Sequence, residues 1–244
     1  MPVTSNFSTG LEDVRVKPAY LKIITNKTVD SKGAVAGQIL DTLSLEAYSS
    51  MVLVPLRVNT QRKMYNAGAE LGVAPLCSSK DGLVPSPWAE HPQSKSCKLC
   101  PHSVWSDSKP SPCKASRLFL VIVKETTLPR MIEFSGKSST AAGLFLRQIK
   151  EHIIKRKTQG VNLDLFDFYF TLSVDKQNGK FGPLYIPRFS EIKEVSNPRE
   201  FGPFFEEYVI RQRVVDEAEQ ELAVAHDSEE AVEAAVLNAI PVEI

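Results

Sequence analysis

The sequence predicts a mainly β fold with α structure: a small antiparallel barrel with one internal helix, a cysteine-rich insertion and an acidic helical extension. Three observations lead there. Residues 164–174 (DLFDFYFTLSV) alternate, with Phe166, Phe168, Phe170, Leu172 and Val174 on one face, the pattern of a half-buried strand. Residues 117–124 (RLFLVIVK) are apolar on both faces and read as a central strand. Between these strands lies one stretch of helical spacing, directly before the last hairpin.

In chain order, residues 1–16 are polar, lack periodicity and read as a mobile N-terminal arm. The body spans 17–195. Residues 19–28 (AYLKIITNKT) begin β-rich and give a strand, and 31–37 make a Gly- and Ala-rich connector. Residues 51–58 (MVLVPLRV) give another, with Pro55 requiring an edge or a bulge because it has no amide hydrogen for the ladder. The basic, polar NTQRKMYNAG then leads into an insertion at about 66–115.

Past the insertion come the 117–124 strand, a turn at 126–129 and a strand at 130–135 (RMIEFS). Ser138 or Ser139 is expected to cap a helix over about 140–157, with Leu144, Phe145, Ile149 and Ile153 near helical spacing and Gly160 as its stop. DKQNGK, with Asn178-Gly179, signals the last hairpin, and 181–189 returns as partner strand. Two strands, an insertion, two strands, a helix and a final hairpin match an OB-fold, a partly open five-stranded barrel with its helix between the third and fourth strands. An all-β sandwich would leave the helix unexplained. Residues 196–244 form the extension: 204–224 read as an amphipathic helix, and Asp227 or Ser228 caps a second piece, EEAVEAAVLNAI.

All four cysteines fall between 77 and 113: Cys77, Cys97, Cys100 and Cys113, the middle two a C-x2-C pair. The residues between them are mostly Gly, Pro, Ser and charged types, with little to build a core. So long a polar loop needs something to hold it. Four thiolates around one structural zinc would do so. A disulfide pair, a redox C-x2-C and four unrelated thiols are the competing readings, and His91 or His102 could replace one cysteine. A disulfide fits poorly with a chain that opens on no secretory pattern, and a redox pair belongs at a helix start after a buried strand, which HPQSKS is not.

The formal charge is zero, yet residues 201–244 hold eleven acids and two bases, leaving 18 acids and 27 bases in 1–200. A body of +9 joined to a tail of −9 suits a polyanion partner and a segment able to compete for it. The other reading of the tail makes Phe204, Phe205, Tyr208 and Val209 an apolar face packed on the barrel or on another subunit. No apolar run approaches membrane-span length, so the chain is expected to be soluble.

No Walker loop, HExxH, GxSxG or GxGxxG is present, so a binding protein is expected rather than an enzyme. Its signal is cations interleaved with aromatics. Arg57, Arg62, Lys63 and Tyr65 lie at the end of the second strand and in the loop that follows it, where OB-folds commonly engage oligonucleotides. Tyr169 and Tyr185 are candidate stacking platforms on the last two strands. Trp88 and Trp105 either stack on bases or pack over the metal site.

The run VPLRVNTQRKMYNAGAE, the PLCSSKDGLVPSP segment, CKLCP, and the Pro-Cys before RLFLVIV resemble zinc-containing single-stranded DNA-binding proteins of bacteriophages over about residues 50–190. The resemblance implies an OB-fold holding single-stranded DNA, structural Zn2+ on Cys77, Cys97, Cys100 and Cys113, and strand contact around residues 57–65. It also implies an acidic C-terminal region that modulates access and meets phage replication, recombination or transcription proteins. The tail here ends NAIPVEI, without an aromatic last residue. The expected function is sequence-independent protection of single-stranded DNA in phage replication or recombination, in the cytoplasm of the infected bacterial cell. The alternative is a zinc-containing transcription regulator that binds DNA and RNA polymerase, against which stands the lack of an obvious basic recognition helix.

Overall fold

The computed structural model describes residues 18–26, 28, 32–66, 75–87, 89, 91–104, 111–124, 126, 128–179, 182–197 and 199–211. Its strands are β1 Ala19–Ile23, β2 Ile39–Asp41, β3 Ala47–Tyr48, β4 Ser50–Met64, β5 Cys77–Ser79, β6 Lys114–Val123, β7 Pro129–Ser135, β8 Phe168–Gly179 and β9 Gly182–Glu194. The helix α1 Gly136–Thr158 stands between β7 and β8, and a single turn, α2 Gly202–Phe205, follows β9. The strands order as β3-β2-β1-β7-β6-β4-β8-β9, with β5 added to β4. The fold is mainly β, as expected.

Phe189 of β9 meets Phe134 of β7 at a centroid distance of 5.4 Å, although three strands separate them. On a flat sheet these strands would stand about 19 Å apart. The sheet is therefore curled, with its apolar face inside. Phe119, Phe134, Phe145, Phe168, Phe170 and Leu172 fill that interior. α1 covers it, Phe145 stacking on Phe189 at 4.6 Å.

Pro55 sits at the register shift between Pro55 and Arg57 in the β4–β6 ladder, so the missing amide hydrogen falls where the ladder is already broken. A second apolar cluster covers the other face beside this bulge: Val54, Leu56 and Ile122 pack with Phe166, Val195, Phe201 and Val209. The segment after β9 is thus seated on the sheet. The short β1–β2–β3 meander is clipped to β7 by Arg130, whose Nε donates to both Asp41 carboxylate oxygens at 2.9 Å. Both side chains are buried, so removing either partner would leave an uncompensated charge, a loss of about 3–5 kcal/mol.

Several boundaries differ from expectation. β4 continues through NTQRKM to Met64, because β6 and then β5 supply ladder partners for these polar residues. β2, β3 and β5 are short strands in stretches that carry no alternation of their own. α1 begins at Gly136, and its N-cap, Ser135, makes no side-chain cap bond. Ser139 instead accepts a hydrogen bond from Arg117 Nη1 at 2.6 Å, through both its hydroxyl and its carbonyl oxygens. Leu144 is exposed, and Ala142 takes the core position expected of it. Gly160 ends the helix at φ +79, a conformation other residues rarely adopt. Phe166 lies in the 3-10 turn Leu165–Asp167 and packs in the second cluster, on the opposite side from Phe168 and Phe170. The β8–β9 ladder runs to Gly179↔Gly182, so the hairpin turns after Asn178-Gly179 rather than on it.

The expected N-terminal arm, residues 212–244 of the expected extension, Trp88 and Trp105 lie outside the described residues. Among the described residues, no helix is long and apolar enough to cross a membrane.

Candidate nucleic-acid interface and cysteine pocket

Strand alternation sorts the β4–β6–β7 sheet into two faces. Phe119, Val121, Ile132 and Phe134 point into the core, so their neighbours point out. Across the outer face the register sets Arg57 opposite Leu120, Asn59 opposite Leu118, Gln61 opposite Ser116, and Lys63 opposite Lys114. Met131 stands beside Leu120, and Tyr20 of β1 stands beside Met131. Arg57, Leu120, Met131 and Tyr20 thus make one row over four strands. Tyr20 is 41% exposed. Leu21 belongs to the core, so alternation also turns the exposed Lys22 outward.

Two cations of this face have partners. Arg57 Nε donates to Asn59 Oδ1 at 2.9 Å. Lys63 Nζ pairs with Glu133 at 3.0 Å, and Glu133 also accepts from the Ser116 hydroxyl at 2.6 Å. An ion pair as exposed as Lys63–Glu133 is worth about 0–1 kcal/mol, little to break when a phosphate competes for the lysine.

The other expected contacts are spread out. Tyr65 is 44% exposed just beyond β4. Tyr169 packs beside the second apolar cluster, with Lys124 Nζ 4.6 Å from its ring centroid. Tyr185 on β9 donates its hydroxyl to Asn26 Oδ1 at 3.1 Å, joining the last strand to the turn after β1. Arg62 alternates away from Lys63 and faces the cysteines.

Those cysteines gather at the end of β4. Cys77 pairs with Met64, while Cys113 immediately precedes Lys114, the partner of Lys63. The two strands flanking β4 therefore deliver one cysteine each. Backbone bonds position the rest: the Cys97 amide donates to the Leu83 carbonyl at 2.8 Å and the Cys113 amide to the His102 carbonyl at 3.0 Å. The turn holding Leu83 is fixed by Asp81, whose carboxylate accepts from the Leu83 and Val84 amides and the Ser79 hydroxyl. Gly82 fits this turn because its φ is +74 and a Cβ there would press within 3.2 Å of Thr60 on β4.

All four thiols are buried and free, and all four line one small pocket of about 10 Å³, room for about one water-sized body. His102 also lines it. Among the described residues, however, no group of three or more His, Cys, Asp or Glu side chains is gathered as a metal-holding cluster. The thiols share an environment without converging as ligands. Burial pushes the Cys113 thiol up from its ordinary value, Arg62 beside it acts the other way, and Cys97 and Cys77 push it up again. In donor chemistry the set suits a thiophilic ion such as zinc, which takes four thiolates at about 2.3 Å.

Nothing in the sequence marks Tyr20, Asn59, Gln61, Leu118 or Met131 as members of one face. Their signal is cross-strand register, which no local pattern encodes. No family model, curated protein or solved structure matches this chain.

Proposed function

We propose that the chain is a non-enzymatic, sequence-tolerant single-stranded DNA-binding protein built on an OB-fold, with a structural zinc in its cysteine module. One observation carries the reading. The strands β7-β6-β4-β8-β9 lie in the order 3-2-1-4-5 when numbered along the chain, and α1 falls between the third and fourth of them. In an OB-fold the second and third strands and the loops after the first and fourth bind oligonucleotides. Here those are β6, β7, the cysteine segment and the β8–β9 hairpin. Phosphates would meet Arg57, Lys63, Lys114 and Lys22, while Tyr20 and Tyr65 offer rings for bases.

Zinc would hold Cys77, Cys97, Cys100 and Cys113 together, replacing a core that the module otherwise draws mainly from Met64, Leu76 and Ala89. The role served is protection of single strands during phage replication or recombination in the host cytoplasm, with replication, recombination or transcription proteins as partners of the acidic region. Competition between single-stranded and duplex DNA tests the function, and metal analysis tests the site. Preference for single strands and about one zinc per chain, lost in Cys97→Ser or Cys100→Ser, are expected. Equal affinity for duplex favours a transcription regulator. A zinc-free protein of intact stability removes the metal.

A further inference from the structure

Arg62 belongs to the cysteines rather than to the outer face. It stands opposite Ala115 on β6 and Ser79 on β5, on the side of β4 that carries Met64. Met64 in turn packs with Cys77 and Cys113. The Arg62 guanidinium lies beside the Cys113 thiol. Its Nη1 also points at the Ser103 carbonyl, 3.4 Å away. Ser103 is tied to the Cys100 carbonyl through both its amide, at 3.0 Å, and its hydroxyl, at 2.8 Å. One side chain from the barrel thus reaches both ends of the 100–113 segment.

Four thiolates around a divalent ion carry a net charge of roughly −2, which a buried site tolerates poorly without a cation beside it. Lys98 and Lys114 are exposed, whereas Arg62 is partly buried against the thiols. A guanidinium is always charged and more weakly hydrated than an ammonium, so it can hold that charge partly buried while its fork donates to the Ser103 carbonyl.

We infer that Arg62 is a positioning residue of the metal site, bracing the turn after Cys100 through Ser103 and offsetting the site's negative charge, so that it sets how firmly the ion is held. The inference rests on the zinc reading above. Partners one shell beyond the ligands typically change metal retention by about 10–100-fold.

Zinc release to an excess of chelating dye measures this directly on the full chain. Arg62→Ala should release zinc about 10–100-fold faster than the parent, and Arg62→Lys should fall between them, since an ammonium keeps the charge without the fork. Arg147→Ala, an exposed cation on α1, should release at the parental rate. With Co2+ in place of zinc, losing the positive charge beside the thiolates raises the sulfur lone pairs, so the thiolate-to-metal absorption should move to longer wavelength in Arg62→Ala. A merely loosened module would weaken that band without moving it. If Arg62→Ala does not fold, Arg62→Lys decides: faster release supports the inference. Parental release rates and an unshifted band overturn it and leave the zinc reading standing. A parent chain purified without zinc under reducing conditions overturns both.

Discussion

Neighbours in sequence have opposite surroundings at the end of β4. Lys63 turns outward to Glu133, whereas Arg62 turns inward to Cys113 and Ser103. Alternation alone produces this division, and it separates two kinds of cation that look alike in RVNTQRKM. The same alternation makes Tyr20 the exposed aromatic of the Arg57 row, although nothing around it in AYLKI marks it out. Lys63→Ala and Tyr20→Ala should therefore weaken single-strand binding differently. The lysine removes at most one phosphate contact, so the log–log salt slope should flatten by up to about 0.7. The tyrosine should cost about 1–3 kcal/mol with the slope unchanged, because stacking releases few counterions. Titrations at several salt concentrations give both quantities, and a Tyr20→Ala protein with parental affinity removes the ring from the interface.

At the scale of elements, β4 organises the molecule. It pairs with β8 at its start, β6 along most of its length and β5 at its end, and the Pro55 bulge separates the β8-paired start from the rest. The cysteine module hangs from that end through the Asp81 turn packed on Thr60. Burial pushes the Asp81 carboxyl up, but the Leu83 and Val84 amides and the Ser79 hydroxyl together outweigh it and hold it below its ordinary value. A carboxylate lowered by folding stabilises fully above its unfolded value and loses that contribution as pH falls through the folded one. The module should thus open in acid, below the ordinary carboxylate range, before the curled sheet does. Limited proteolysis across a pH series should show cleavage near residues 80–90 rising first at low pH, and Asp81→Ala should show it already at neutral pH. Equal cleavage of both proteins at neutral pH would mean that Asp81 does not hold the turn.

For the whole molecule, the start of the expected extension is seated on the sheet. Phe201 and Val209 are buried on Val54, Leu56 and Ile122, with Phe204, Phe205 and Tyr208 packed around them. Residues 201–209 are therefore part of the packing on the sheet, and any competition with DNA belongs to the acidic residues beyond them. Truncation after residue 198 should expose the second cluster and lower the melting temperature. Truncation after residue 211 should keep the fold and tighten single-strand binding, most clearly at low salt, because the removed acidic tail would no longer occupy a basic face. Thermal melts and affinities at two salt concentrations separate the two effects. Unchanged or weaker binding by the longer truncated protein, still folded, rules out the competing tail.

The sequence by itself determined the elements with strong local signals. The strand over 117–124, the part of the expected 164–174 strand from Phe168 on, the single long helix and its stop at Gly160 follow from periodicity and backbone preference, which act over a few residues. So does the bulge at Pro55, where a missing amide hydrogen cannot be hidden in a ladder. Clustering of the four cysteines was also legible, since it is a matter of spacing. Tertiary structure alone decided what depends on partners distant in the chain. Ladder bonds from β5 and β6 turned NTQRKM from an expected loop into strand. The second apolar face drew Phe166 away from Phe168 and Phe170 and seated the segment after β9. Cross-strand register joined Tyr20 to Arg57 and parted Arg62 from Lys63. In each case the energy comes from contacts formed only when the sheet curls, so no window of sequence contains them.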